Sequence, residues 1–340
     1  MNFDFTDDQQ AIKRTANELL AARFKPERVR ELAEAERYED DAWKEMCELG
    51  WAGIFIEEEH GGQGLGIVEL VILMEELGYA LAPVPFLSNA AAGLALQFAG
   101  TDEQKERWLP GIASGEALGT VGMLRDGGEA RLVPDAGSAE VIVLIGFDGS
   151  THVVERSAAE VEPLETMDRT RRFARVRVDG GEPLGGDCFA AGDRIATALS
   201  AETVGVAQKA MEMAVEYARE RKQFDRPIGA YQAVSHRCAQ MLLEVEGSRS
   251  AAYYAAWCAD AEPDSLPAAS SGAKAYSSDA GWRVCGSSLQ VHGGIGFTWE
   301  HDLHFYLKRA KTNAMLYGSA REHRDRVASL ALAKPEAVAA

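Results

Sequence analysis

Apolar residues at Val204, Ala207, Met211, Ala214, Val215 and Ala218 recur every three or four positions, which is the spacing of one buried helix face. After a short interruption holding Pro227 and Gly229, a second pattern begins at Val234, Ala239, Met241, Leu242 and Val245. From residue 191 onward the chain reads this way, with enough helices for a bundle of four or more. The first 118 residues are helical in pattern too. Thr6 stands three residues before Gln9, and Thr101 three before Gln104, each the spacing of a capping box. The run from Val68 predicts a helix ended by Gly78, and the run after Thr101 one that stops at Leu109-Pro110. Between 119 and 190 the period falls to two. Ala139 to Ile145 reads as a buried strand and Thr151 to Val154 as a shorter one. Phe173 to Val178 alternates, with Val176 and Val178 on one face and Arg175 and Arg177 on the other. The expected fold is α+β and mostly α. It comprises an N-terminal helical domain (1–118), a small middle β-domain (119–190) and a C-terminal helical bundle (191–340).

Composition narrows the function classes. The 340 residues can bury substantial cores, and 46% hydrophobic with 26% charged residues is ordinary for a globular protein. A formal net charge of -18 argues against nucleic acid as a partner, since phosphate backbones need a basic surface. Cys47, Cys188, Cys238, Cys258 and Cys285 are widely spaced, without a C-x-x-C pair. That pattern suits a reducing compartment with no disulfide framework or zinc site. Neither a signal pattern nor an apolar run of about eighteen residues is visible, so no membrane role and a cytoplasmic location are expected. The acidic trio Glu57-Glu58-Glu59 reads as a solvated edge, with no histidine or aspartate completing a metal site. His292, His301, His304 and His323 match no usual zinc spacing, and no metal is expected.

Between the two bundle helices, Arg221 and Lys222 sit at a helix end where cations suit the macrodipole. Taken alone, they and the following Phe224 and Gln232 make an ordinary turn. Together, however, Arg221, Phe224, Pro227-Ile228 and Gln232 resemble the R-x-x-F-G-x-P-I-x-x-x-Q signature of the acyl-CoA dehydrogenase family, with Asp225 in place of the usual glycine. Downstream, Gln290-Val291-His292-Gly293-Gly294-Ile295-Gly296-Phe297-Thr298 resembles a second stretch of that family. Trp51 to Ile56, Gly61 to Gly64, Glu75 to Gly78 and Gly100 to Lys105 resemble its N-terminal helical domain.

The resemblance implies FAD as cofactor and an acyl-CoA thioester as substrate. It places Arg221, Gln223 and Phe224 at the cofactor's pyrophosphate side, across a dimer interface. Gln232, Gln290, Gly293 and Gly294 follow as further contacts. Arginine offers phosphate a rigid fork, and glycine allows close approach. The flavin-ring half departs from the family. Gly122-Met123-Leu124-Arg125-Asp126-Gly127-Gly128 replaces T-E-P-x-x-G-S-D, and the later W-I-T segment is missing. The family's Y-E-G-T falls on Leu316-Tyr317-Gly318-Ser319. This places Tyr317 at the catalytic glutamate and Ser319 among the cofactor contacts. A phenol with an ordinary pKa near ~10 is a poor base at neutral pH. The alternative glutamate position of some members is Ile195. The F-D-x-x-R that holds the CoA ester becomes Gly192-Asp193-Arg194-Ile195-Ala196, its arginine gone or displaced. Glu202, two turns beyond Ile195, is a weak candidate for a relocated base, and Asp279 reads as solvated.

The expected function is therefore that of an FAD-dependent acyl-CoA dehydrogenase subunit without its own base, completing the FAD site of a homologous partner. Such mixed assemblies occur in actinobacteria, some acting on CoA esters of steroid-derived chains, and an electron-transfer flavoprotein-like acceptor is implied. Two alternatives stay open: a self-sufficient homo-oligomer with a relocated base, and a cofactor-free scaffold of the same fold.

Overall fold

A computed structural model describes residues 4–125 and 128–333. Asp126, Gly127 and the Ala-rich tail from residue 334 lie outside the described residues. Six helices come first: α1 (Asp7–Arg23), α2 (Pro26–Glu34), α3 (Asp40–Glu48), α4 (Ile67–Ala80), α5 (Phe86–Ala99) and α6 (Asp102–Ser114). Both capping boxes form: the Thr6 and Thr101 hydroxyls accept from the Gln9 and Gln104 backbone amides at 3.2 Å. Two expected helix ends are corrected. The helix after Thr101 runs through Pro110 to Ser114, because Leu109, Ile112 and Ala113 are buried and the Asn89 side-chain amide donates to the Ile112 carbonyl at 3.0 Å. Gly78 lies inside α4, two residues before its end.

The middle of the chain is a six-stranded sheet of order β4-β3-β1-β2-β6-β5. Its strands are β1 (Gly119–Arg125), β2 (Glu129–Pro134), β3 (Val141–Gly146), β4 (Thr151–Glu155), β5 (Glu160–Leu164) and β6 (Phe173–Arg177). Only β1 and β3 pair in parallel; the rest are antiparallel. Along β6 the expected alternation holds, with Val176 buried and Arg175 and Arg177 paired to acidic neighbours on β2 and β5.

The remainder is helical: α7 (Cys188–Glu220), a two-stranded hairpin of β7 (Lys222–Gln223) and β8 (Arg226–Pro227), α8 (Gln232–Ala261), α9 (Leu266–His292), α10 (Leu303–Met315) and α11 (Ala320–Ala333). α7 is the axis of this part. It crosses α4 at two glycines: a Cβ on Gly78 would stand 2.1 Å from the Glu202 carbonyl oxygen, and one on Gly205 1.9 Å from that of Glu75. α9 runs parallel to α7. Ser270 and Ser288 donate to the carbonyls of Asp193 and Ala210 at 2.7 and 2.6 Å, and His292 stacks on Tyr217 at 4.7 Å.

A buried ionic cluster fastens the loop between β5 and β6 to α7 and α10. Arg309 reaches Asp168 at 2.8 Å and Glu202 at 2.7 Å, and Arg171 reaches the same Glu202 oxygen at 2.6 Å. Asn313 closes the set, donating to the other Glu202 oxygen at 3.1 Å while accepting from Arg171 at 3.2 Å. Burial lowers the protonated form's advantage at Arg309, but Asp168 and Glu202 outweigh it and hold the guanidinium charged. Breaking a buried ion pair by removing one partner leaves uncompensated charge, at a typical cost of about 3–5 kcal/mol. Arg309→Met should therefore destabilise the fold by about that amount, as measured by urea unfolding. A change under ~1 kcal/mol would show that the cluster contributes little, as a surface pair does.

Candidate active site

Two groups of residues were singled out by sequence, and α7 carries one at each end. At its C-terminal end, Arg221 caps the helix and is exposed. The chain then turns through the β7–β8 hairpin, with Phe224 (φ 53°) and Asp225 (φ 64°) both left-handed at its tip. Two such residues are what a two-residue hairpin loop requires, and aspartate tolerates that conformation better than most non-glycine residues. That accounts for Asp225 where the family has glycine. Phe224 is 88% exposed, and Gln223, Gln232, Gln290 and Gly294 are exposed as well.

Because α9 is parallel to α7 and α8 returns against both, these residues share one end of the bundle. Gly293 ends α9 at φ 63°, and a Cβ on Gly293 or Gly294 would meet only open space. Gln232 opens α8, whose N-terminus has no side-chain cap. Among the described residues, the Arg221 guanidinium has no side-chain partner. An exposed arginine fork, an uncapped helix N-terminus and a cleared glycine turn suit the pyrophosphate of a dinucleotide. The donor set thus fits that half of FAD.

At the other end of α7 lies a cavity of about 250 Å³. Val121 and Met123 of β1, Ile145 of β3, Phe147, Phe189 and Ile195 give it apolar walls, and Tyr317, Gly318 and His323 close one side. An adjoining cavity of about 300 Å³ is lined by Arg125, Arg131, Met315 and Leu316 as well as Tyr317. Tyr317 and Ile195, which the sequence resemblance set at glutamate positions, thus line one cavity. Burial raises the Tyr317 phenol well above its ordinary value, against a smaller opposing pull from Arg171. Ser319 is held as the N-terminal cap of α11: its hydroxyl and amide both donate to Glu322 at 2.7 Å.

Carboxylates on the lining are committed. Asp193 is paired by two bonds to Arg326 of α11, one of them 2.9 Å. Arg326 thus stands beside Asp193, where the sequence left the motif's arginine missing; Arg194 instead donates to the Ala190 and Ala259 carbonyls and covers Phe98. Glu202 is 2% exposed and locked between Arg171 and Arg309, away from the cavity lining. Asp279 is solvent-accessible, as expected, and pairs at the surface with Arg324 at 2.7 Å.

The histidines pack on rings: His292 against Tyr217 and His301, and His304 against Trp299 and Phe305. One reading at the acidic turn is corrected. His60 does join it, and ligand atoms of Glu57, Glu59 and His60 lie within 4.8 Å of one another, because a short helical turn brings position 60 back over 57.

Sequence reasoning missed the residue that shapes the Tyr317 turn. Lys274, 1% exposed, contacts the Asn313 and Gly318 carbonyls at 3.0 and 3.1 Å and the Ser278 hydroxyl at 2.9 Å. The amine donates to all three oxygens. Tyr317 (φ 54°) and Gly318 (φ 101°) are both left-handed, and His323 Nε2 fixes the Tyr317 carbonyl at 3.0 Å. The available signal was a lone lysine among the small residues of α9.

Residues 6–116 match the family model "Acyl-CoA dehydrogenase, N-terminal domain", and residues 191–332 match "Acyl-CoA dehydrogenase, C-terminal domain". The chain belongs to the acyl-CoA dehydrogenase family. Members of this family are FAD-binding oxidoreductases that act on the CH–CH group of acyl-CoA. A similar protein is acyl-CoA dehydrogenase IpdE2 of Mycobacterium tuberculosis, 35% identical over 93% of this chain and 95% of that one. Among solved structures, the ChsE4-ChsE5 complex from Mycobacterium tuberculosis matches with a TM-score of 0.89 and 26% identity, covering 99% of this chain and 100% of that one. A variant of the Tcur3481-Tcur3483 steroid ACAD matches with a TM-score of 0.86 and 28% identity, over 96% and 98% of the two chains.

Burial pushes Lys274 from an ordinary value of 10.5 down to about 7, against weaker pulls from Glu322 and Asp279. Between these values the unfolded chain holds a proton that the folded chain lacks, so stability rises with pH from about 7 to 10.5. Below this window both states are protonated, and above it both are neutral. Lys274→Met should flatten the rise, removing a slope of up to about 1.4 kcal/mol per pH unit. Urea unfolding at several values across the window checks this, and equal slopes in mutant and wild type would contradict it.

Proposed function

We propose that this chain is the base-lacking subunit of a heteromeric, FAD-dependent acyl-CoA dehydrogenase, and that it completes the FAD site of a homologous partner. The observation that carries this reading is a length. Ile195, on the cavity, and Arg221, on the hairpin, are twenty-six residues apart on one helix, about 39 Å at 1.5 Å per residue. The hairpin of a chain therefore serves a site other than the cavity of that chain. A second observation gives the direction. The dinucleotide-facing end keeps Arg221, Gln223, Phe224, Gln232, Gln290, Gly293 and Gly294. The cavity end has Tyr317 and Ile195 where relatives place a base, and its matched ring-binding segment is a regular strand, β1.

In this reading the Arg221 fork and the uncapped start of α8 hold the pyrophosphate, and Gly293-Gly294 lets the dinucleotide approach the backbone. The bound flavin supplies hydride acceptance, and the partner supplies the carboxylate that takes the α-proton. Glu202 is a structural ion, not a relocated base. Two similar structures are titled as two-component assemblies, one of them a steroid ACAD, which supports a homologous partner and a steroid-derived acyl-CoA as substrate class. A further similar structure, described for the electron transferring flavoprotein of Acidaminococcus fermentans, is 25% identical, which supports such a protein as acceptor. The division into 1–118, 119–190 and 191–340 is our assignment of the parts. No helix among the described residues is long and apolar enough to cross a membrane, and a cytoplasmic location fits that.

The test is Arg221. Losing one charge-assisted hydrogen-bonding partner costs about 1.5–3 kcal/mol, or roughly ten- to a hundredfold in FAD affinity of the assembled complex. Arg221→Ala should show that loss with the fold of this chain intact, and Arg221→Lys, which keeps charge without the fork, should fall between. Unchanged FAD affinity in Arg221→Ala would overturn the reading.

A further inference from the structure

The hairpin between α7 and α8 carries a cation at a position that the family signature leaves open. Arg226, on β8, lies over the Tyr231 ring with its guanidinium carbon 4.0 Å from the ring centre, a stacking distance. Tyr231 is itself fixed. Its hydroxyl donates to the Gln223 carbonyl at 3.2 Å, and its ring meets that of Phe224 edge to face at 6.5 Å. Arg226 is exposed, and among the described residues its guanidinium makes no hydrogen bond or ion pair.

The ladder sets this cation beside Arg221. Gln223 pairs with Arg226 and Lys222 with Pro227, and the Ile228 amide donates to the Arg221 carbonyl at 2.8 Å. Arg221 therefore stands opposite Ile228, and Arg226 opposite Gln223. Residues directly opposite, or two apart on one strand, share a face of such a ribbon. Arg221, Gln223 and Arg226 thus share one face, while Lys222 and Pro227 take the other. Arg221 and Arg226 are diagonal neighbours, about 7–8 Å apart. A guanidinium is planar, so with one face on Tyr231 it keeps the other for a second ring. The ribbon face offers a fork for phosphate and, next to it, a flat shelf for a ring.

We propose that Arg226 is the shelf on which the purine ring of the dinucleotide stacks, so that the hairpin selects a purine dinucleotide over a bare flavin phosphate. The inference rests on the reading that Arg221 holds the pyrophosphate, and it adds the residue that recognises the far end of the cofactor. In that reading the flavin belongs to the cavity of the partner, so the ring left at this hairpin is the purine. A lysine at this position would supply charge but no plane.

Riboflavin pyrophosphate separates the two contacts, because it carries flavin and pyrophosphate but no purine. Equilibrium binding of FAD and of this analogue to the assembled apo complex is followed by flavin fluorescence. Arg226→Ala should weaken FAD about three- to thirtyfold and leave the analogue unchanged. Arg226→Lys should lose most of the same increment. Arg221→Ala should weaken both ligands. If Arg226 only staples the hairpin to Tyr231, its removal displaces Arg221 too and weakens both ligands alike, which would overturn the proposal. Unchanged FAD affinity in Arg226→Ala, beside a loss in Arg221→Ala, would also overturn it and leave the subunit reading standing. If Arg221→Ala weakens neither ligand, the pyrophosphate is not at this hairpin, and the subunit reading falls together with the shelf.

Discussion

The close crossing of α4 and α7 sets the geometry on which everything else rests. Gly78 faces the backbone of Glu202 and Gly205 that of Glu75, so the two helices approach closer than any side chain would allow. That contact fixes a 33-residue helix against the N-terminal domain. Once α7 is fixed, α9 aligns along it through Ser270 and Ser288. The ionic cluster around Glu202 then attaches the sheet and α10 at its middle. A rigid rod of this length forces its two ends into different environments. One end presents Arg221 and the hairpin to solvent, and the other closes the cavity with Ile195.

This arrangement separates two kinds of loss that look alike in sequence. Tyr317 and Ile195 belong to the cavity alone, and the hairpin end sits some 39 Å away along α7. The wall beside Tyr317 is pinned by several contacts. Lys274 and His323 hold the left-handed Tyr317-Gly318 turn, and Arg326 fills the place beside Asp193. Glu202 shows the converse. Its spacing from Ile195 suggested a base, yet two guanidiniums and an amide claim both its oxygens.

Much of the fold was legible because it is written in local periods. The buried face of α7, the alternation in β6 and the boxes at Thr6 and Thr101 depend on residues a few positions apart. So does the hairpin motif, which is contiguous from Arg221 to Gln232. On α8, by contrast, only Met241 and Val245 of the expected face are buried, and Ala239 and Leu242 are exposed. What stayed hidden depends on long-range packing. Pro110 is carried through α6 by burial on both sides of it, and Gly78 reads as a stop signal when it is a contact point. Asp193 meets Arg326, Glu202 meets Arg309, and Lys274 meets Gly318 across more than forty residues each, where no spacing rule reaches. β1 carried no strand signal for a related reason: its apolar residues are interrupted by Gly119 and Gly122, which pack against Ala92 and Val133.

The central claim is that the cofactor site is shared between two different chains, with this one supplying only the dinucleotide grip. Co-expression with a homologous partner, followed by counting FAD in the purified assembly, measures that directly. One FAD per pair of unlike chains, with this chain alone nearly colourless, is the expected result. A stable yellow assembly of this chain alone carrying one FAD per subunit would contradict it.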